Sequence, residues 1–206
     1  MKPLRTVSAP AIAIDMPNVD TDQIIPARFL RKPRRPGYHL YLFHDIRRAK
    51  DGSMDPAFPL NQESAKGAEI LVADRAFACG SSREGAVYAL VDQGFRVVIA
   101  PSFGDIFASN SVKNGLLALV LPEATVRSLL DQLKARPGAT ISLDLEAKTL
   151  TSPDGKTIPF DVDAYVRETL LAGRDDITLT LEHAAAIDAS LSRMASETPW
   201  LMPTKA

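Results

Sequence analysis

The sequence predicts an α/β fold in which a mostly parallel sheet is flanked by helices and followed by a small β-ribbon and a helical C-terminal tail. Two observations predict it. Between residues 68 and 135, short apolar runs alternate with segments of helical periodicity, the order that builds a parallel sheet covered by helices. From residue 140 onward, apolar and polar residues alternate on either side of a turn, which is typical of an antiparallel ribbon.

The regular part of the chain begins with three strands and three helices in alternation. In the last of these helices, apolar residues recur at positions i, i+3, i+4 and i+7, from Val126 to Leu133, which indicates one buried face. The Arg-Pro-Gly sequence at 136–138 then ends the helix. The predicted strands are 70–73, 96–100 and 116–121, and the predicted helices are 86–93, 103–113 and 123–135.

The last third of the chain has a different pattern. Residues 140–145 and 156–160 are predicted to form the two strands of the ribbon, with a Ser-Pro-Asp-Gly turn at 152–155 between them. A helix is predicted over 161–172, ended by Gly173, and residues 177–195 are predicted to be helical in their later part. Neither an internal repeat nor a low-complexity linker is found. We therefore expect residues 1–206 to form a single domain.

The first 67 residues are predicted to be an irregular, loop-rich part of this domain. Eight of the 15 prolines lie within the first 59 residues, and this density prevents regular helix and indicates loops wrapped over a scaffold. A basic run, Arg-Lys-Pro-Arg-Arg, occupies residues 31–35. Two interpretations of this run remain open: a solvated surface loop, or a mobile lid that brings an arginine to an acidic ligand.

Composition excludes several classes of function. The 24 basic residues balance 25 acidic ones, so the electrostatic footprint of non-specific nucleic-acid binding is missing. A single cysteine excludes an internal disulfide and fits a reducing compartment. No apolar run approaches the roughly 20 residues of a membrane span, and Pro3, Pro10 and Asp15 interrupt the N-terminus too early for a signal-peptide core. We expect a soluble cytoplasmic protein without nucleic-acid or membrane partners.

The most informative segment is residues 79–85, Cys-Gly-Ser-Ser-Arg-Glu-Gly, which lies between a predicted strand and a predicted helix. Two hydroxyls and a guanidinium are therefore placed at a helix N-terminus, where unpaired N–H groups and about half a positive charge favour an anion. Arg83 adds a bidentate donor for a carboxylate or phosphate. The alternative is an ordinary helix cap formed by Ser81 or Ser82, with Glu84 at the positive end of the helix.

Common motifs do not account for this segment. Residues 80–85 have the glycine spacing of a phosphate-binding loop, but Ala-Val at 86–87 stands where Lys-Ser/Thr is required. The segment also lacks the dinucleotide fingerprint and the final glycine of a nucleophile elbow. Cys79 and the three histidines show no metal-ligand spacing. We therefore expect no metal ligand from this chain.

Two further segments contain polar residues at predicted turns. Residues 18–30 (Asn-Val-Asp-Thr-Asp-Gln-Ile-Ile-Pro-Ala-Arg-Phe-Leu) place Asp20 and Asp22 beside a proline-limited turn. The purely structural interpretation of this segment is an Asx-type turn that leads into a buried pair of isoleucines. Residues 101–111 (Pro-Ser-Phe-Gly-Asp-Ile-Phe-Ala-Ser-Asn-Ser) start a helix directly after a strand, and Ser102 is the expected cap of that helix.

Taken in this order, the three segments resemble the small subunits of 3-isopropylmalate dehydratase, in the aconitase superfamily, and the resemblance extends to residues 173–181. It implies a swivelling domain of layered β/β/α type. It also implies a hydro-lyase of leucine biosynthesis that interconverts 2-isopropylmalate and 3-isopropylmalate through 2-isopropylmaleate. A separate large subunit would bind a [4Fe–4S] cluster, whose iron takes the departing hydroxyl, and the two subunits would share the active site. This chain alone would be inactive.

The resemblance also implies roles for individual residues. Ser81 matches the catalytic serine that acts as base, and a desolvated helix end can stabilise its alkoxide. Ser82 and Arg83 match positions that hold the substrate carboxylates. In the basic run, Arg35 best matches the substrate-binding arginine, with Arg34 second. The substrate would be a small dicarboxylic acid.

Other matched positions lie around this core. Asp22 matches a catalytic acid associated with the partner's groups, whereas Asp20 is expected to shape the turn. Leu30 and Arg31 lie where relatives tune recognition of the substrate's distal group. Gly85 departs from the pattern, because many members carry histidine there.

The departures leave two other functions open. A cation at residue 31 is compatible with a substrate that carries an extra carboxylate, so a related hydro-lyase acting on a homoaconitate-like or methyl-substituted malate is the main alternative. Gly85 favours the other alternative, a non-catalytic carboxylate-binding module.

Overall fold

The computed structural model describes residues 1–202, which divide into two compact units, Met1–Gly173 and the segment from Arg174 onward. None of the helices in the described part of the chain combines the length and the apolar composition that crossing a membrane requires.

The first unit is built on a seven-stranded sheet with a parallel half and an antiparallel half. The strands are β1 (Thr6–Ile14), β2 (Ile70–Ala73), β3 (Val97–Ala100), β4 (Leu117–Val120), β5 (Thr140–Asp144), β6 (Thr149–Thr151) and β7 (Thr157–Pro159). Their order in the sheet is β4-β3-β2-β1-β5-β6-β7. β1 belongs to both halves: residues 11–14 pair in parallel with β2, and residues 6–10 pair antiparallel with β5. The predicted α/β class is confirmed.

The prediction that the first 67 residues are irregular is wrong for β1. Pro10 hides this strand in the sequence, but it is the last β1 residue paired with β5 before the pairing passes to β2 at Ala11. Proline has no N–H to donate to a ladder and is therefore found mainly at strand edges and irregularities. The boundary between the two ladders of β1 is such an irregularity. The buried residues of β1 include alanines, such as Ala9 and Ala11, whose small side chains give little signal of alternation.

Helices cover both faces of this sheet. They are α1 (Thr21–Ile24), α2 (Glu84–Gln93), α3 (Asp105–Lys113), α4 (Glu123–Ala135) and α5 (Ala164–Ala172). Alternate strand residues point to opposite faces: Leu71 and Val98 belong to one core cluster, which also contains residues of α2, α3 and the loop-rich segment. Ile70 and Val97 belong to the other cluster, with the buried residues of α4 and α5. The predicted stripe on α4 is buried as expected.

The antiparallel half has one strand more than the sequence indicated. β6 spans only three residues, which is too short for an alternating pattern to be detected. The antiparallel half is followed by α5. The Asp163 carboxylate caps this helix by accepting from the backbone N–H groups of Tyr165 and Val166. Gly173, in the left-handed conformation, ends this helix as predicted.

The second unit is helical, with α6 (Asp176–Leu181), α7 (Ala184–Glu197) and a 3₁₀ turn at Pro199–Leu201. The Asp175 carboxylate caps α6 by accepting from the Thr178 N–H. On α7, the large apolar side chains Ile187, Leu191 and Met194 are exposed. The predicted helical character of residues 177–195 is confirmed, although a break at residues 182–183 divides it into two helices.

The loops that follow β2 and β3 cross at very close range. Phe77 forms a parallel bridge with Phe103, and a Cβ atom built on Gly104 would lie 2.4 Å from the carbonyl oxygen of Ala78. Only glycine fits at this crossing. Gly104 therefore fixes the position of the loop that leads to residues 79–85.

We predict that Gly104→Ala destabilises the protein by about 2–3 kcal/mol, because backbone must move to admit the methyl group. Gly67→Ala is the matched control: its φ is +71°, and a Cβ there meets nothing within 4 Å. The control should lose only about 1 kcal/mol, from left-handed strain. Urea unfolding measures both free energies, and equal losses would contradict the proposed close approach.

Candidate active site

Two loops that carry predicted site residues leave the same edge of the sheet. β1 and β2 are neighbouring parallel strands, so the segments after Ile14 and Ala73 both start at carboxyl ends, where open α/β sheets bind ligands. The pairing continues beyond the strands: Asp20 forms a parallel bridge with Cys79, and the Thr21 N–H donates to the Cys79 carbonyl at 3.0 Å. The aspartate segment and the serine segment are thus held together.

The turn at residues 20–23 is stabilised by its own side chains. The Asp20 carboxylate accepts from the Gln23 backbone N–H at 2.7 Å, and the Gln23 side-chain oxygen accepts from the Asp20 N–H at 2.9 Å, which is a capping box. The buried Thr21 donates its hydroxyl hydrogen to the Ser81 carbonyl at 2.9 Å. The interpretation of Asp20 as a turn-shaping residue is confirmed. Thr21 was missed by sequence reasoning, although a small hydroxyl between two aspartates was available as a signal.

Arg83 and Asp22 form an ion pair across the two loops. The Arg83 Nη1 group donates to Asp22 Oδ1, and the Ala27 N–H donates to the same oxygen at 3.1 Å. The Arg83 side chain is 14% exposed and that of Asp22 is 52% exposed. The hydrogen bond from Arg83 is the main reason that the pKa of the Asp22 carboxyl lies below its usual range. Only the Nη1 group of the guanidinium contacts Asp22, so other donors of Arg83 are left for an anion.

Ser81 and Ser82 do not cap the helix that follows them. α2 begins at Glu84, its N-cap residue is Arg83, and no side chain caps it, so the ordinary-cap interpretation is wrong. Both serines are exposed, and within residues 1–202 neither hydroxyl has a hydrogen-bond partner. Two free hydroxyls and an anchored guanidinium therefore lie together at the N-terminus of a ten-residue helix, where an anion is favoured.

Ser102 does not have its predicted role either. α3 begins at Asp105, with Gly104 as a cap residue that makes no side-chain bond. The Ser102 hydroxyl oxygen instead accepts from the Ala76 N–H at 2.9 Å. Ala76 has a left-handed φ of 55°, which costs a residue other than glycine about 1 kcal/mol. Ser102 thus holds a strained loop that leads to the candidate site.

The basic run is placed along α2, not at the N-terminus of that helix. Arg34 pairs with Asp92 near the C-terminal end of α2, about 12 Å along the helix axis from Glu84 at a rise of about 1.5 Å per residue. The structure therefore does not bring Arg34 to Ser81, Ser82 and Arg83. Asp92 was missed by sequence reasoning, although its spacing of one helical turn from Tyr88 was visible.

The other residues expected to recognise substrate lie on this exposed loop. Arg31 and Arg35 are exposed, and within the described chain neither side chain has a hydrogen-bond or ion-pair partner. Arg35 lines a surface cavity of about 530 Å³ together with His39 and Asp92. Leu30 is 37% exposed and lies against the backbone of Gly85.

No group of three or more His, Cys, Asp or Glu side chains that could hold a metal ion occurs among residues 1–202. Cys79, half-buried, is the single cysteine of the chain. An iron–sulfur cluster requires several thiolate ligands, so the residues of this chain do not fit such a cluster.

Comparison with protein families gives two matches. A model described as the aconitase C-terminal domain matches residues 1–124, and a model described as LeuD_N matches residues 127–164. Together they cover the sheet, the candidate site and the antiparallel half.

Several proteins are similar to this chain over nearly its whole length. The 3-isopropylmalate dehydratase small subunit of Leptospira interrogans is 45% identical, with 98% of each chain covered. The protein of the same description from Methylibium petroleiphilum is 46% identical, with both chains covered completely. A crystal structure titled 3-isopropylmalate dehydratase, from Methanocaldococcus jannaschii, superimposes with a TM-score of 0.64 at 26% identity, covering 90% of this chain and 98% of the other.

The ion pair between Asp22 and Arg83 should make the stability of the protein depend on pH. The pKa of Asp22 is lower in the folded state. The stability that the ionised Asp22 carboxylate contributes is therefore fully present above the pKa of the unfolded chain, and it is lost as pH falls through the pKa of the folded state. Asp22→Asn should therefore be slightly less stable than the wild type at pH 7, by about 1 kcal/mol or less for so exposed a carboxylate. The difference should vanish at acidic pH in urea titrations.

Asp131→Asn is the control for this prediction, since the Asp131 carboxylate is exposed on α4 and has no ion-pair partner among the described residues. Its free energy of unfolding should stay within about 0.5 kcal/mol of the wild-type value, as is usual for a surface substitution. If the difference in unfolding free energy between the wild type and Asp22→Asn persisted unchanged at acidic pH, it would contradict the role assigned to the ion pair.

Proposed function

The chain belongs to the family of 3-isopropylmalate dehydratase small subunits, and from that premise we propose that it supplies one half of a hydro-lyase active site. The reaction is the isomerisation of 2-isopropylmalate to 3-isopropylmalate through 2-isopropylmaleate, in leucine biosynthesis and in the cytoplasm. One observation supports this most strongly: two free hydroxyls and an anchored guanidinium lie together at the N-terminus of α2.

The other half of the site belongs to a large subunit. A [4Fe–4S] cluster on that partner supplies the Lewis acid for the departing hydroxyl, and the single cysteine of this chain agrees with that division. We propose a heterodimeric unit in which this chain alone is inactive. The partners are the large subunit and a dicarboxylic acid, without nucleic acid or membrane.

Ser81 is the proposed base. The proton to be removed is on a carbon beside a carboxylate and is weakly acidic, so the base must be strong and correctly placed. The Ser81 hydroxyl has no hydrogen-bond partner among residues 1–202, and so it is available to substrate. The free N–H groups and the positive end of α2 favour the alkoxide once the partner excludes water from the site.

Ser82 and Arg83 are proposed to hold a substrate carboxylate. The Arg83 donors that Asp22 does not use can form the paired hydrogen bonds that a carboxylate accepts, and the Ser82 hydroxyl donates from the same helix end. Asp22 positions Arg83 by holding its Nη1 group. The association of Asp22 with catalytic groups of the partner stays a prediction.

The loop after Leu30 is proposed to recognise the rest of the substrate. Arg35 has no ion-pair partner in the described chain and is the proposed ligand of the second carboxylate. Leu30 and Arg31 are proposed to face the distal substituent. Because the Arg31 side chain is exposed and has no ion-pair partner among residues 1–202, a substrate with an additional carboxylate is the second candidate.

We predict that Ser81→Ala lowers kcat by about 10²–10⁴-fold, the usual contribution of a positioned base, while association with the large subunit is retained. The measurement is the absorbance of the unsaturated intermediate formed from 2-isopropylmalate by the cluster-loaded complex. Ser128→Ala, at an exposed serine on α4, is the control and should leave turnover unchanged.

The same assay separates the candidate functions. A wild-type complex that does not turn over 2-isopropylmalate but dehydrates a homoaconitate-like or methyl-substituted malate would favour the related hydro-lyase. Full activity in Ser81→Ala would assign the base to another residue, and inactivity with every substrate would favour a non-catalytic binding module.

Arg83→Lys should mainly raise KM, by about tenfold or more, because lysine keeps the charge but cannot reproduce the planar fork. Initial rates over a range of substrate concentrations separate KM from kcat. An unchanged KM would show that Arg83 does not bind the substrate carboxylate.

A further inference from the structure

We propose that Arg34 is a positioning residue that clamps the loop at residues 30–38 to α2, and that Gly85 provides the space in which this loop is seated. The inference rests on the proposed function for its catalytic consequence, because this loop is the proposed recognition element. The clamp itself follows from contacts within this chain.

Arg34 is held in two directions at once. Its Nε and Nη2 groups donate to the Asp92 carboxylate at 3.1 Å and 2.5 Å, and its Cζ atom lies 4.4 Å from the centroid of the Tyr88 ring. Tyr88 and Asp92 are one helical turn apart on α2, so they present a ring and a carboxylate on the same face. A planar guanidinium can use both contacts together, whereas a lysine ammonium cannot.

The partial burial of this pair distinguishes it from ordinary surface ion pairs. The Arg34 side chain is 38% exposed and that of Asp92 is 24% exposed. The hydrogen bond to Asp92 is the main reason that the pKa of Arg34 is raised. An arginine held in this way is not available to a substrate at the other end of α2. Arg35, adjacent to it and without an ion-pair partner in the described chain, is therefore the better candidate for the substrate contact.

Tyr38 holds the other end of the loop. It is 3% exposed, and its ring makes edge contacts with Tyr88 and Tyr41, at centroid distances of 6.4 Å and 5.5 Å. Tyr88 is thus shared: it contacts both the guanidinium in the middle of the loop and the tyrosine at its end. Such aromatic pairs add about 0.5–1.5 kcal/mol to the burial of area.

Gly85 lies directly against the two ends of this loop. A Cβ atom built there would lie 2.9 Å from the Tyr38 Oη atom and 3.1 Å from the Leu30 Cδ2 atom. Tyr38 is buried and packed against two other rings, so even a methyl group would displace the loop, and the histidine found at this position in many family members would displace it further. Gly85, Tyr38 and Leu30 are therefore a matched set, in which the glycine leaves the space that the other two side chains occupy.

Trypsin can measure the clamp without any activity assay. Within the loop, only the bonds after Arg31 and Arg34 are susceptible, because proline follows Lys32 and Arg35. Arg34→Lys keeps a cleavage site and the charge but loses the fork and the ring contact. We expect the full-length chain with Arg34→Lys, or with Asp92→Ala, to be cut in this loop at least several-fold faster than the wild type.

Asp131→Ala is the control for loss of a carboxylate on a helix outside the clamp, and it should be cut at the wild-type rate. Circular dichroism of each variant confirms that the chain is folded. Equal cleavage rates in the wild type, Arg34→Lys and Asp92→Ala would overturn the clamp.

A double-mutant cycle tests the seat at Gly85. Gly85→Ala should accelerate cleavage of the loop, and Tyr38→Phe, which removes the hydroxyl nearest to the added methyl group, should suppress much of that acceleration. Coupling between the two changes supports the matched set. Additive effects, or no acceleration by Gly85→Ala, would contradict it.

The catalytic consequence is measured in the reconstituted complex. Asp92→Ala should raise KM several-fold while kcat stays within about twofold of the wild type, because the loop is mispositioned and the serines are not. If the wild-type complex has no activity, the proposed function fails and the proteolysis result still decides the clamp. If the complex is active and KM is unchanged, the loop does not position substrate.

Discussion

The candidate site depends on the parallel pairing of β1 with β2. This pairing starts two distant segments of the chain from the same edge of the sheet, and a bridge between Asp20 and Cys79 keeps them paired beyond the strands. Asp22 can meet Arg83 only because of that arrangement. The close crossing of Ala78 and Gly104 then fixes the serine segment from its other side. Precision in the site therefore comes from backbone pairing and the Asp22–Arg83 ion pair, while the side chains of Ser81 and Ser82 remain exposed.

Two arginines on or near α2 show how the environment decides the use of a charge. Arg83 is anchored through its Nη1 group only, at the end of α2 where the N–H groups of the helix are free. Its other guanidinium donors can therefore bind an anion. Arg34 donates two hydrogen bonds to Asp92 and stacks the plane of its guanidinium on Tyr88, so few of its donors remain for a ligand. The two residues look equivalent in the sequence, because each is an arginine beside a turn. Their difference arises from partners 61 and 58 residues away.

Much of the fold could be predicted because its signals are local. Strands β2, β3 and β4 and the helices between them are strong apolar patterns with clear ends, and Ser81 to Arg83 were recognisable from their position before a helix. β1 could not be predicted, because a proline and several alanines weaken its pattern and its pairing is entirely non-local. The roles of Ser102 and Arg34 were out of reach for the same reason: each depends on a partner in another loop or helix. The chemical type of each side chain was thus readable from the sequence, whereas the contacts that each one makes required the structure.

The position of β1 between two ladders also constrains how the chain is made. Its partner β5 lies about 130 residues further along the chain, so at a synthesis rate of roughly 5–20 residues per second that edge of β1 stays unpaired on the ribosome for on the order of ten seconds. An open edge of this kind can pair with other chains. The Ala11 N–H donates to Ala139 and the Arg5 carbonyl accepts from Leu145. The odd-numbered residues of β1 therefore carry the backbone groups of that edge, and the nitrogen of Pro10 faces the opposite one. The proline that hides β1 from sequence reasoning therefore leaves this edge with all of its hydrogen-bond donors, and only pairing with β5 covers them.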